Sequence, residues 1–169
     1  MKKSNKKEFA SMSELLGILS YSERDTCFHL EGGGCLDIVR VICSDFQAIR
    51  DIDLEYENLK LQQFYSRYPA DLKLVCVSMP ERCTEQIQYV THKLESCQTV
   101  RRNELVARKK ELQWLEKNRQ RKEYYFFLYT ESPDQLADAR GGAVGRLEDA
   151  RLILTISRQE KIDVLTKIL

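Results

Sequence analysis

Residues 27 to 43 read Cys-Phe-His-Leu-Glu-Gly-Gly-Gly-Cys-Leu-Asp-Ile-Val-Arg-Val-Ile-Cys, two apolar runs, CFHL and CLDIVRVIC, on either side of a glycine tract. Glycine supplies the positive φ of a tight turn and β-branched residues favour extended backbone, so the stretch predicts a β-hairpin turning at Glu31 to Gly34. The tract does not make a phosphate loop. That motif needs Lys and Ser/Thr after its glycines at the head of a helix, and a strand follows here.

Downstream, Ser44-Asp45-Phe46-Gln47 forms a capping-box pattern. Phe46, Ile49, Ile52, Tyr56 and Leu59 then recur at helical spacing, which predicts a helix to near Tyr65. Tyr68-Pro69 stops it, because proline disfavours α geometry in the residue before it. DLKLVCVS reads as the next strand, with Val75 inside the sheet, and Ser78-Met79-Pro80-Glu81 predicts another helix with Pro80 in its first turn. Residues 82 to 122 read as helical, with a stripe of Ile87, Val90, Leu94 and Cys97 that breaks at Arg101-Arg102-Asn103-Glu104 and resumes at Leu105, Leu112 and Leu115. A single helix of that length would span about 60 Å, more than a small sheet covers, so two helices or a projecting one are expected. YYFFLYT is apolar on both faces and predicts a central buried strand holding Phe126. Ser132-Pro133-Asp134-Gln135 opens a helix that Gly141-Gly142 ends or bends. Residues 151 to 156 form a last short strand. Ser157-Arg158-Gln159-Glu160 caps a closing helix with Ile162, Val164, Leu165, Ile168 and Leu169 on its apolar side.

This order predicts an α+β fold of ferredoxin-like, split β-α-β kind, with an extra N-terminal hairpin strand and a long projecting helical segment. Residues 1–20 are expected to be a mobile tail and 21–169 a single domain, with 82–122 as a helical insertion or extension. At 169 residues the chain can bury a full core.

A net charge of +1 excludes a general polyanion binder, so any nucleic-acid or membrane affinity must come from a local patch. The six cysteines, Cys27, Cys35, Cys43, Cys76, Cys83 and Cys97, contain no C-x-x-C pair, and His29 and His92 are the only histidines. That spacing gives no zinc site, and no metal or cofactor is expected. Glu8 and Glu14 interrupt the apolar run a secretory signal needs, and no window is long and apolar enough to span a bilayer. Reduced thiols and a cytoplasmic location are expected. Cys27 and His29 share a strand face without an assigned acid, and Cys83 and His92 face differently on a helix, so neither pair makes a catalytic site. The carboxylate pairs Asp51 with Asp53 and Glu55 with Glu57 read as a solvated helix face. No catalytic residue is assigned and no enzymatic activity is expected.

The richest functional signal is basic. Arg101, Arg102, Arg108, Lys109, Lys110, Lys117, Arg119, Arg121 and Lys122 fall in one segment, interleaved with Glu104, Glu111, Glu116 and Glu123. Such a strip suits phosphates or an acidic lipid surface, and steps such as Glu104 to Arg108 equally suit a self-supporting exposed helix. Trp114, beside Leu115, reads as a partner-facing anchor or as core. The candidate interaction residues are therefore Arg101, Arg102, Arg108, Lys109, Trp114 and Leu115.

The segments GGGCLDIVRVICSDFQAI, ADLKLVCVSMP, KEYYFFLYT and SRQEKIDVLTKIL together resemble the N-terminal domain of TraC/TrbE-like ATPases of conjugative type IV secretion, over about residues 20 to 169. The resemblance implies a docking domain, attached to conjugation-apparatus proteins at the cytoplasmic membrane face. No G-x-x-x-x-G-K-[ST] occurs, so the motor's nucleotide site is missing and neither ATP hydrolysis nor tight nucleotide binding is expected. Nucleic-acid binding through residues 101–122 is the alternative expectation.

Overall fold

The computed structural model describes residues 16–44, 49–96 and 99–168. In it the glycine turn closes the hairpin as its sequence requires. Strands β2 (Cys27–Leu30) and β3 (Cys35–Val41) pair antiparallel, with Phe28 opposite Leu36 and His29 opposite Cys35. Leu30 N donates to Gly34 O at 2.8 Å, and Gly32 and Gly33 take φ of 90° and 94°, where a side chain would be strained. A strand begins at Ile18, inside the stretch 1–20 expected as a tail, of which residues 1–15 lie outside the described residues. Strand β1 (Ile18–Ser22) pairs antiparallel with β2, and the Tyr21 and Phe28 rings meet edge-on at 5.0 Å.

Helix α1 covers Asp51–Arg67, later than the Ser44 capping box predicts; Asp45, Phe46 and Gln47 lie outside the described residues. Its first turn carries Asp51 and Asp53, which complement the positive end of the helix dipole, and Tyr68 ends it. The predicted stripe marks the wrong face. Ile52, Tyr56 and Leu59 are at least half exposed, whereas Phe64 and Tyr68 are buried. Apolar side chains stand on more than one side of this helix, so periodicity does not single out a face. The buried one is chosen by aromatic fit, Phe64 lying 5.4 Å from Phe126 and 5.5 Å from Tyr68. The Tyr68 hydroxyl donates to Tyr129 O at 2.9 Å.

Strand β4 (Leu72–Pro80) runs through the position where a helix is predicted to open. Pro80 ends this strand, and the next helix begins at Thr84. Strand order β1-β2-β3-β5-β4, in which β5 is Gln120–Thr130, leaves β4 at the sheet edge, where proline is tolerated. Val75 is half-buried there, less enclosed than its sequence suggests. Strand β5 (Gln120–Thr130) lies between β3 and β4, with Tyr125 to Leu128 buried as the aromatic run predicts, and it sets Phe126 opposite Val39 and Leu128 opposite Asp37. Because β5 starts at Gln120, Arg121 and Lys122 are strand residues rather than part of a helix.

Helix α4 (Pro133–Ala139) is capped by Ser132, whose hydroxyl accepts from Gln135 N. The two glycines bend rather than end it: a π-helical turn (Arg140–Val144) leads into α5 (Gly145–Asp149). A Cβ at Gly145 would collide with the Arg140 carbonyl oxygen, so the wide turn itself requires that glycine. Strand β6 (Ile153–Thr155) pairs with β3, and Ser157 and Glu160 cap α6 (Arg158–Ile168) reciprocally. Val39, Phe126 and Leu128 from the sheet pack with Phe64, Val144 and Leu147 from the helices. The fold is thus α+β, an antiparallel sheet with helices.

Residue contacts divide the chain into two compact units, 1–76 with 124–169, and 77–123. The second holds α2 (Thr84–Ser96) and α3 (Thr99–Asn118), so the helical segment is two helices, as expected. The first helix ends at Ser96 and the second starts at Thr99, residues 97–98 lie outside the described residues, and Arg101 to Glu104 lie within α3 rather than between the helices. Cys83, Val90 and Leu112 form this unit's core, with Ile87, Leu94, Leu105 and Leu115 packed against it. At its base, Glu81 N donates to Arg119 O at 3.0 Å, and the Glu81 carboxylate faces Arg119 and Arg121 at 3.6 and 3.8 Å.

Candidate functional site

The six residues singled out in the sequence all lie on α3, but the helix does not present them together. Leu115 packs against the core of its own unit. Arg108 donates to Glu111 at 2.7 Å, one turn on, rather than pairing with Glu104. Lys109 is half-buried. Arg101 lines an open hollow of about 350 Å³ with Tyr89, Lys93, Glu104 and Leu105, where Lys93 stands 5.5 Å from the Tyr89 ring centre. Arg102 is exposed with no ion pair among the described residues, and Trp114 has 62% of its surface exposed.

Helical geometry explains the sorting. With 3.6 residues per turn, Leu105 and Leu112 define the inward stripe, Val106, Lys110, Trp114 and Lys117 lie towards the far side of the cylinder, and Arg102 lies on its flank, three turns before Trp114. Three of the four interleaved acids are engaged elsewhere: Glu111 with Arg108, Glu116 with Thr84 at 2.9 Å, and Glu123 with Arg121 at 2.5 Å and Arg82 at 3.6 Å. Among the described residues, no carboxylate lies within ion-pair distance of Arg102, Lys110 or Lys117. The mixed-sign segment therefore folds into an outward face on which Lys110 and Lys117 stand one turn before and one turn after an exposed tryptophan. Lys110 and Lys117 belong to it and Arg108 does not, a distinction that only the helical phase makes.

Among the described residues Cys27, Cys35 and Cys83 are buried, and His29 and His92 stand on β2 and α2. Cys27 and Cys35 are fully buried against Leu136, and His29 Nδ1 lies 3.8 Å from Cys35 Sγ, a pairing across strands that sequence adjacency does not reveal. Burial, then the neighbouring Cys35, pushes the Cys27 thiol up to about 12, opposite to the shift that makes a reactive thiolate. Cys83 is buried, and His92 sits exposed beside Glu95 at 3.5 Å. Among the described residues no three His, Cys, Asp or Glu side chains gather to hold a metal, and no helix is long and apolar enough to cross a membrane.

One polar cluster escaped the sequence. Asp37 on β3 is closed to solvent and takes Lys161 Nζ on one oxygen at 2.6 Å and Arg140 on the other at 2.7 and 3.1 Å. The surplus positive charge is spread onto backbone oxygens: Lys161 donates to Thr26 O at 2.6 Å, and Arg140 donates to Asp25 O at 2.5 Å and Thr26 O at 3.2 Å. The cluster joins the β1-β2 turn, β3, the π-helical turn and α6, and its donors are consumed in doing so. Its signal was present, since Lys161 lies three and four residues before the buried Val164 and Leu165 and so falls on the apolar side of α6.

Comparison with protein-family models, with curated proteins and with solved structures found no match to this chain.

Proposed function

We propose that this chain is a non-enzymatic docking domain whose α3 face seats an acidic surface of a partner protein. The observation that carries this reading is Trp114, a large aromatic held in solvent on the side of α3 away from its core, with Lys110 and Lys117 one turn to either side, Arg102 further along the helix, and among the described residues no carboxylate at ion-pair distance from the three cations. Tryptophan and arginine are the side chains on which protein interfaces most often concentrate their binding energy. Placing β3 and β4 on either side of β5, with α1 joining them, supports the ferredoxin-like, split β-α-β reading. The resemblance to the TraC/TrbE-like N-terminal domain supports the narrower proposal of docking within a conjugative secretion apparatus, on the cytoplasmic side of its membrane.

A photo-crosslinking residue at position 114 of the full chain, in the cells that make it, should yield a discrete protein adduct. That adduct should disappear when Arg102, Lys110 and Lys117 become Glu, and it should contain a protein with an acidic contact surface. Adducts with nucleic acid alone would favour the second reading, phosphate binding by the same three cations. Absence of any adduct, or one indifferent to the charge reversals, overturns the docking reading.

A further inference from the structure

The first unit carries a second cationic feature, independent of α3. A hollow of about 450 Å³ is bounded by Arg67 at the end of α1 and by Gly142, Ala143 and Arg146 of the bent helix. A smaller recess shares Arg67, Ala143 and Arg146 and adds Lys60. Among the described residues Asp138 is the only acid on these walls, and Gln135 adds an amide. Among the described residues, none of the three cations has a carboxylate at ion-pair distance. Lys60 lies over the Tyr56 ring at 5.1 Å, which leaves its charge uncompensated by an anion.

The glycines of this helix sharpen the point. Three fall within five residues, and only Gly145 is demanded by packing. A Cβ on Gly141 or Gly142 would meet nothing within 4 Å, and neither residue has the positive φ that favours glycine. Glycine inside a helix is destabilising relative to alanine, so the fold gains nothing from either. Gly142 lies on the wall of the hollow that Arg67 and Arg146 also line, where a missing side chain lets a ligand approach the backbone.

We propose that this hollow is a binding site for a phosphomonoester. The hollow and its adjoining recess together carry three cations, Arg67, Arg146 and Lys60, and one carboxylate, a net charge of +2 that complements a phosphomonoester dianion, and the forked donors of arginine match phosphate oxygens in pairs. The group can arrive on a small soluble molecule or on a lipid headgroup, and the chemistry of the site is the same for both.

Titration of the full chain with glycerol phosphate, followed by amide NMR, should shift Gly142, Arg67 and Arg146 at millimolar ligand. Arg67→Gln with Arg146→Gln should weaken the affinity by about tenfold or more, since both forks are lost. Gly142→Ala gives a second measurement in a chain that keeps every charge: the ligand-free protein should melt higher while its affinity falls. Vesicles of phosphatidic acid against vesicles of phosphatidylcholine decide the source. Binding to the former that exceeds the soluble monoester assigns a lipid headgroup, and equal or weaker binding assigns a soluble ligand. Shifts absent at millimolar glycerol phosphate, or affinities for both probes untouched by the arginine changes and by Gly142→Ala, overturn the proposal.

Discussion

Lys161 and Asp37 meet at 2.6 Å with both side chains closed to solvent, and Arg140 shares the same carboxylate from its other side. The arrangement makes the three residues unequal. Asp37→Asn strands two cations without an anion and should cost about 3 to 5 kcal/mol, the range for breaking a buried pair. Lys161→Met should cost less, because Arg140 continues to neutralise Asp37. Urea denaturation of the two variants gives the order, and a larger loss for Lys161→Met would show that Arg140 does not share the charge.

Leu112 and Trp114 are two residues apart on α3 and should respond in opposite ways. Leu112 is 2% exposed, so Leu112→Ala leaves a cavity and should lose about 2 to 5 kcal/mol. Trp114→Ala should change stability by no more than about 0.5 kcal/mol, as for a surface position. Its effect belongs to partner association. Thermal melting of both variants tests the assignment, and comparable destabilisation would place Trp114 in a core.

Thiol chemistry should follow burial. Alkylation of the native protein should modify the exposed Cys43 and Cys76 first and spare Cys27, Cys35 and Cys83, as mapped by peptide mass spectrometry. The raised Cys27 value also has a sign. The folded state holds that proton more tightly than the unfolded chain does, so its contribution is fully present below about pH 9 and is lost as pH rises towards about 12. Cys27→Ser should flatten that part of an alkaline stability profile; an unchanged slope would assign it to other groups.

DNA binding separates the two readings of α3. If Arg102, Lys110 and Lys117 each neutralise a phosphate, changing all three to Gln should reduce the slope of log affinity against log salt by about 2.7. The docking reading expects only weak binding to begin with, gone by about 200 mM salt. Affinity that survives physiological salt and vanishes in the triple variant would make nucleic acid the partner.

The elements legible in advance were those whose local signals agree. Gly32 and Gly33 demanded a turn, the run Tyr125 to Leu128 demanded a buried strand, and Ser132 and Ser157 marked helix starts through their own hydroxyls. Pro80 misled because its ring suits a first helical turn as well as the end of an edge strand, and only sheet order distinguishes them. Strand β1 gave little signal, being five residues long and stabilised by pairing with β2 rather than by its own composition.

Sequence by itself determined the α+β class, the hairpin, the central aromatic strand and the concentration of cations near α3, because propensity, capping and charge are local properties. Tertiary structure alone decided which face of α1 is buried, which cations of α3 keep a free charge, and that Arg67 and Arg146 share a hollow. It also brought Asp37, Arg140 and Lys161 together from opposite ends of the chain. These are pairings between residues distant in sequence, fixed by packing and by burial of charge, and no local pattern encodes their distance.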